Sequence, residues 1–583
     1  MSSRAAARLL LGGIVLAAAT IWGVLGQQLD VPTVFGDELI HWDAARSLAA
    51  GDGLQVRDGG YGFAPGFPAL VAPLHLLAPD DLTAYQWLRL LNAVAFALAA
   101  LPAYALARRL LAPGWSLGCA ALAVALPSAL YTGFVMTEGT AYAACVLAFL
   151  AFARCLERPT TTSQLAALGA LGLATAFRLQ LAALAVILVV ALALRALLTR
   201  GLRLVRRSDG RTLLPLLLVL GGLALVVGVR AALGNPLAGY GDLWRSYDLV
   251  EVGRWTWRAL AGLGLYLALL PLVVAPAALL RLGRDARRGD RPAAAFAALF
   301  VAANTVLLLV VGAFSSTEFG VGFLHDRYLF YVVPLWLVAT AVWADRRDGG
   351  AVVGLGLGAF LVLLLLSTLP TYLLNDDGGR RFDALASGLP SEAASLLDRA
   401  EPSRWMLLVG GAFVVGYTAV LAARRLPGWL ALAPVVAVFV LNAAFGWDYR
   451  IDAARNVTFA PLDAAEVGWV DETVPDGAEV ATLAGGVSVA TRDALRLTEL
   501  FNASIGPVYD LGAAYAPTLA AVDVRVGGGR LVLSDDGPVD ARWVVAPPAL
   551  RLTGVVVAEG TVERLRLWRV EPPLRVLDEA ASP

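Results

Sequence analysis

Asp37 and Glu38 stand side by side just past an apolar run that ends near residue 27, in the segment Gly36-Asp37-Glu38-Leu39-Ile40-His41-Trp42-Asp43. On a helix, Asp37 and His41 are four apart and share a face, and Glu38 lies three before His41. Gly36-Asp37 reads as a helix start, with Asp37 able to cap it. A carboxylate pair immediately outside a membrane span can take a proton from a hydroxyl, or bind a divalent cation such as Mg²⁺ or Mn²⁺. It can also be no more than the start of a solvated interfacial helix. Glu138, in Met136-Thr137-Glu138-Gly139, separates two apolar runs and is either a plain turn residue or a second carboxylate on the acceptor side. Arg178, in Ala176-Phe177-Arg178-Leu179-Gln180, interrupts a long apolar stretch. A lone arginine there either snorkels to the interface or binds an anion. His325-Asp326-Arg327-Tyr328 opens a later apolar run. The planar guanidinium of Arg327 suits phosphate oxygens, and Arg327 with Tyr328 equally suits an interfacial anchor. His325 joins Glu138 as a secondary polar group.

Several chemistries are missing. No G-x-x-x-x-G-K-[ST] occurs, and the chain has no lysine to complete one, so ATP-driven transport is not expected. No His/Cys cluster has structural zinc spacing, and no G-x-S-x-G elbow appears. Cys119, Cys145 and Cys155 all fall in apolar runs, so no disulfide framework is implied.

The elements that must position these residues are membrane helices. Of 583 residues, 58% are hydrophobic and only 16% charged. A soluble surface needs about a quarter charged residues, so this is a polytopic membrane protein. Formal net charge is zero, which removes nucleic acid as a default partner. An apolar stretch of about 20 residues crosses a bilayer as a helix. Thirteen candidate runs occur, at 8–27, 87–107, 116–133, 139–153, 163–177, 179–198, 212–231, 257–280, 292–314, 328–344, 351–373, 404–422 and 428–446. Arginines crowd every second connection, as at Arg108 and Arg109, Arg154 and Arg158, Arg195–Arg211, Arg281–Arg291, Arg346 and Arg347, and Arg424 and Arg425. By the positive-inside rule the N-terminus is cytoplasmic and the C-terminus extracytoplasmic, in the plasma membrane. The domains expected are a membrane part, 1–446, and an exterior soluble part, 447–583.

The first exterior loop, 28–86, carries a second helix after Tyr61-Gly62-Phe63-Ala64-Pro65-Gly66-Phe67-Pro68, too short to span and suited to lie in the membrane plane. The tail reads as strands at 524–526, 530–533, 543–545 and 564–570, separated by Gly and Asp-Gly turns, which predicts a small α/β or mostly-β domain.

In the order and sidedness of these segments the chain resembles the GT-C superfamily of glycosyltransferases, close in plan to the lipid A aminoarabinose transferases and the protein O-mannosyltransferases. The resemblance rests on Asp37-Glu38 with the texture that ends at Gly51, the Pro65/Pro68 helix, Thr137-Glu138, Ala176-Phe177-Arg178, and Arg327-Tyr328 with Pro334. It covers residues 1–350 well and the rest loosely. Phe177-Arg178 stands where many members show Thr-Arg-Pro, and no lysine is present for a phosphate contact. The resemblance implies an inverting enzyme that moves a sugar from a polyprenyl-phosphate donor to an acceptor hydroxyl of the envelope, on a polysaccharide, lipid or protein. It makes Asp37 the base, with Glu38 and His41 orienting it or holding a cation. Arg178, Arg327 and Tyr328 would then receive the donor phosphate, and membrane lipids would surround the whole. A lipid-linked sugar flippase or a non-catalytic envelope assembly protein are the alternatives. A flippase should place ionisable groups along a path through the bundle, whereas here they gather on one predicted face.

Overall fold

The computed structural model describes residues 3–28, 36–57, 59–200, 216, 220–222, 247–317, 324–346, 352–374, 385–399, 401–457, 463–485, 488–512, 521–527, 529–533 and 537–577. They pack as two units. One comprises residues 1–21, 93–130 and 138–447, and the other residues 22–92, 131–137 and 448–583.

The first unit is built of apolar helices. Across the chain, seven helices among the described residues are long and apolar enough to cross a membrane, or nine if each of two bent pairs counts as one. The chain is a multi-pass membrane protein. The runs at 163–177 and 351–373 form the 17-residue helices Thr161–Phe177 and Val352–Thr368, and 328–344 overlaps Val333–Arg346. The run 212–231 lies almost wholly outside the described residues.

The run 257–280, expected as one span, is two helices, Leu249–Tyr266 and Leu270–Arg287, bent by 104°. The cause is local. Pro271 disfavours a helical conformation at Leu270 and removes a backbone donor. The connecting Ala268 and Leu269 take φ of 59° and 62°, a left-handed conformation that ends a helix. The run 116–133 is likewise divided, into Pro113–Ala123 and the 3-10 turn Pro127–Gly133, at 51°.

Gly354 and Gly358, one turn apart, let helix Val352–Thr368 approach helix Leu270–Arg287 backbone to backbone. A Cβ at Gly358 would stand 2.0 Å from the Val273 carbonyl oxygen, and one at Gly354 2.5 Å from the Ala277 Cα. Small residues four apart are the usual means of close helix approach in lipid. Gly358→Ala should lower stability by roughly 1–3 kcal/mol, read as a lower thermal midpoint in detergent. Gly356→Ala, which meets nothing within 4 Å, should leave the midpoint alone.

The second unit joins the first loop to the tail. In the loop, β1, Gln55–Val56, pairs antiparallel with β2, Gly59–Gly60. The seven-stranded sheet of the unit has the order β6-β5-β4-β3-β7-β9-β8, where β3 is Val480–Ala484, β4 Ile505–Asp510, β5 Val522–Gly527, β6 Arg530–Leu533, β7 Trp543–Ala546, β8 Gly554–Glu559 and β9 Arg566–Val570. The inner pairs β5/β4, β4/β3 and β3/β7 are parallel and the outer pairs antiparallel. Helix Val489–Phe501 makes the crossover from β3 to β4, so the tail is α/β. The strands legible in sequence are β5, β6, β7 and β9. Central β3 is buried along its whole length, so it shows no alternation.

The tail helix is tied to the loop. Trp42, Tyr85 and Phe501 meet edge to face, with centroids 5.7–6.4 Å apart. Arg46 donates to the Leu500 carbonyl, and Arg57 Nε donates to Glu499 at 2.7 Å. The Leu500 carbonyl belongs to the last turn of its helix, where carbonyls lack internal partners. The short helix Gly66–Leu77 packs against helix Gly36–Ala50 in the same unit.

Candidate functional site

In the second unit, helix Gly36–Ala50 carries the acidic pair. It starts at Gly36, so Asp37 and Glu38 both sit in its first turn. Carboxylates there face the positive end of the helix dipole. Asp37 is partly exposed and Glu38 is fully buried. Glu38 Oε2 accepts the Val135 backbone N–H at 2.7 Å. This fixes Glu38 as a brace between the helix and segment 131–137. His41 Nδ1 lies 2.9 Å from the Tyr61 hydroxyl, which donates to the Ala64 carbonyl at 3.1 Å. With its proton committed to Ala64, Tyr61 accepts from Nδ1–H of His41. The Phe63 and Phe67 rings pack edge-on against the imidazole at 6.2 and 5.5 Å. His41 is thus held by aromatic neighbours one turn along from Asp37.

A divalent cation was one reading of the pair. Among the described residues no group of three or more His, Cys, Asp or Glu side chains converges to hold one, and Glu38 is engaged by backbone.

Farther along the same helix lies a half-buried ionic network. Arg46 meets Asp81 at 2.8 Å and Asp43 at 3.4 Å. Burial pushes the Asp43 carboxyl up to about 7, against the pull of the Arg46 guanidinium beside it; Glu499 and Asp81 add to the rise and Arg57 opposes it. A folded-state value above the unfolded one, about 3.9, means the native state holds the proton longer. Stability should therefore fall as pH rises from about 4 to about 7, and the loss should be complete above that. Asp43→Asn should flatten this slope in thermal unfolding between pH 5 and 8. An unchanged slope would show that the network does not titrate there.

In the first unit, three separated segments meet. Glu138 is the first residue of helix Glu138–Glu157. Arg178 takes an extended conformation, φ −151°, between helix Thr161–Phe177 and the 3-10 turn Leu179–Ala182. Arg327 lies in the 3-10 turn Asp326–Tyr328. Glu138 Oε1 accepts from Arg178 Nη1 at 2.6 Å and from Arg327 Nε at 2.5 Å. All three side chains are at least nine-tenths buried. Both guanidiniums lie near the Tyr328 ring, at 5.4 and 5.8 Å from its centre. His325 packs between Tyr328 and Phe314, with centroids 5.4 Å from the first and 5.6 Å from the second.

Two arginines on one carboxylate oxygen leave this trio with a net charge of +1. Glu138 Oε2 and the Tyr331 hydroxyl, both buried, have no hydrogen-bond partner among the described residues. Such atoms are costly unless something meets them. Tyr331 interacts electrostatically with Arg178. Sequence reading absorbed it into the following apolar run, although its spacing of three from Tyr328 was a signal. The structure thus gathers Glu138, Arg178, Arg327, Tyr328 and His325 into one cluster. Glu138 is the holder of the arginines, with its charge already spent on them. Asp37, Glu38 and His41 belong to the other unit's helix.

Apolar helices with an α/β tail give a GT-C-like fold, shared over essentially the full length of the chain with solved structures. The crystal structure of ArnT from Cupriavidus metallidurans in the apo state matches with a TM-score of 0.51 at 16% identity, over 97% of this chain and 98% of that one. The same protein bound to undecaprenyl phosphate matches with a TM-score of 0.48 at 16% identity, over 98% of both chains. The oligosaccharyltransferase of Archaeoglobus fulgidus in its apo form gives 0.43 at 13% identity, over 85% of this chain and 64% of that one. No protein-family model matches the chain, and no curated protein matches it. At these identities the likeness is one of fold.

Proposed function

We propose that the protein is an inverting membrane glycosyltransferase that moves a sugar from a polyprenyl-phosphate donor to a hydroxyl of an envelope acceptor. The observation that carries this reading is the buried Glu138–Arg178–Arg327 cluster. It holds two fixed guanidinium donors in a low-dielectric setting, where charge stabilisation is strongest. The leaving group of such a transfer is a lipid phosphate that gains negative charge as the bond breaks. Arg178 and Arg327 meet that charge, and Tyr328 limits the swing of both guanidiniums. Asp37 takes the proton from the acceptor hydroxyl. The acceptor oxygen then forms its bond to the anomeric carbon, and the bond from that carbon to the phosphate oxygen breaks with its electron pair on the phosphate. A single displacement inverts the centre. His41 and Glu38 act through position, Glu38 by bracing the first turn.

The decisive experiment incubates the purified protein with a panel of polyprenyl-phospho-sugars and follows release of the lipid phosphate. Turnover of none of them would sink the reading. Arg178→Gln and Arg327→Gln should each weaken donor binding by about 1.5–3 kcal/mol, the size of a lost charge-assisted bond. Unchanged donor affinity in both would remove the cluster from the donor site. The reading also requires the tail to be extracytoplasmic. A reporter fused at Gly512 should report the exterior, and one after Arg288 the cytoplasm.

A further inference from the structure

We propose that the groove between helices Glu138–Glu157 and Thr161–Phe177 holds an anionic phospholipid, its phosphate on Arg154 and its acyl chain against Ala166, Gly169 and Leu173. The groove has a volume of about 490 Å³, within the usual range of ligand sites. Its walls are apolar over most of their length, and its polar groups gather at one end, as Arg154, Thr160, Thr162 and Ser163. That is the plan of an amphiphile with one charged head.

Charge complementarity fixes the sign of the head. Arg154 is exposed, and its side chain makes no ion pair or hydrogen bond among the described residues. The neighbouring carboxylate, Glu157, is taken by Arg109 at 2.8 Å. Ser163 already donates to the Arg158 and Thr160 carbonyls, so its oxygen still offers lone pairs and no proton. Arg154 is therefore the anchor, and the hydroxyls surround it.

The dimensions select the lipid. From Thr160 to Leu173 the groove follows thirteen residues, about 20 Å at 1.5 Å per residue. One leaflet's hydrocarbon is about 15 Å deep. An acyl chain of the adjoining leaflet fits this length, whereas a long polyprenyl chain does not. The site is also separate from the Glu138 cluster. Arg154 lies sixteen residues along the same helix from Glu138, about 24 Å away along its axis.

Native mass spectrometry of the full chain in detergent tests this. The probes are phosphatidylglycerol, phosphatidylcholine with the same chains, and polyprenyl phosphate. Phosphatidylglycerol should be retained about tenfold or more over phosphatidylcholine, whose own ammonium competes with Arg154 for the phosphate. Arg154→Gln should abolish that preference. Gly169→Leu should lower retention of both phospholipids. A Cβ at Gly169 meets nothing within 4 Å, so the new side chain fills the groove without displacing the core. Ala166→Leu serves as the second blocking variant if Gly169→Leu is not monodisperse. Equal retention of the two phospholipids, or a preference that survives Arg154→Gln, would overturn the proposal. So would displacement of phosphatidylglycerol by polyprenyl phosphate at equal concentration.

Discussion

Asp37→Asn should reduce sugar transfer by about 10²–10⁴-fold, the usual loss for a positioned general base, in a protein that still folds and binds donor. Asp37, Glu38 and His41 stand at the start of helix Gly36–Ala50. Glu38 is buried with Oε2 on the Val135 N–H, and His41 is turned into Tyr61, Phe63 and Phe67. Asp37 is the partly exposed carboxylate of the pair, at the helix end that favours negative charge. Asparagine keeps its shape and removes only the capacity to take a proton. Glu38→Gln should be milder, because a glutamine oxygen can still accept from Val135. Were Glu38→Gln as severe as Asp37→Asn, and rescued by added Mn²⁺, the pair would hold a cation and the base assignment would fail. A folded, donor-binding Asp37→Asn protein with near-normal turnover would falsify it directly.

Glu138→Gln carries the second large effect. The carboxylate is buried and accepts from two arginines through one oxygen. Removing one partner of a buried ion pair typically costs about 3–5 kcal/mol, because the remaining charges stay uncompensated. Here two guanidiniums lose a shared acceptor at once. The thermal midpoint should drop by several degrees or more, and the arginines should lose the register in which they face a phosphate. A second readout separates this role from mere support. Polyprenyl phosphate brings the missing negative charge, and a ligand that binds only the native state stabilises it. It should therefore raise the midpoint of Glu138→Gln more than that of the unsubstituted protein. An equal rise in both, or an unchanged starting midpoint, would mean that Glu138 does not hold the arginines for a phosphate.

The membrane class was legible because lipid leaves few alternatives. Without water, each crossing segment must satisfy its own backbone, so long apolar runs read directly as helices. Helices such as Arg291–Ser315 and Arg404–Ala422 appear where composition alone places them. The break at Leu267–Leu269 was not read, because Pro271 in an apolar stretch is compatible with a kinked or a divided helix, and packing decides between them. Strands β5, β6, β7 and β9 showed through their turns and alternation, whereas β3 is buried throughout and looks like any short apolar run.

Sequence alone determined that Asp37, Glu38, Glu138, Arg178 and Arg327 were worth attention, because an ionisable group beside an apolar run needs a reason to be there. It could not determine their partners. Glu138, Arg178 and Arg327 are separated by 40 and 149 residues of chain, and only the packing of three helix ends brings them onto one oxygen. That contact makes Glu138, read in sequence as a turn residue or an acceptor-side carboxylate, the holder of two cations. The same holds in the other unit, where Glu499 and Leu500 reach Arg57 and Arg46 across more than 400 residues. Local periodicity and hydropathy decide which segments leave water. Which charges then meet depends on side-chain burial, since a buried charge must find whichever partner the fold places beside it.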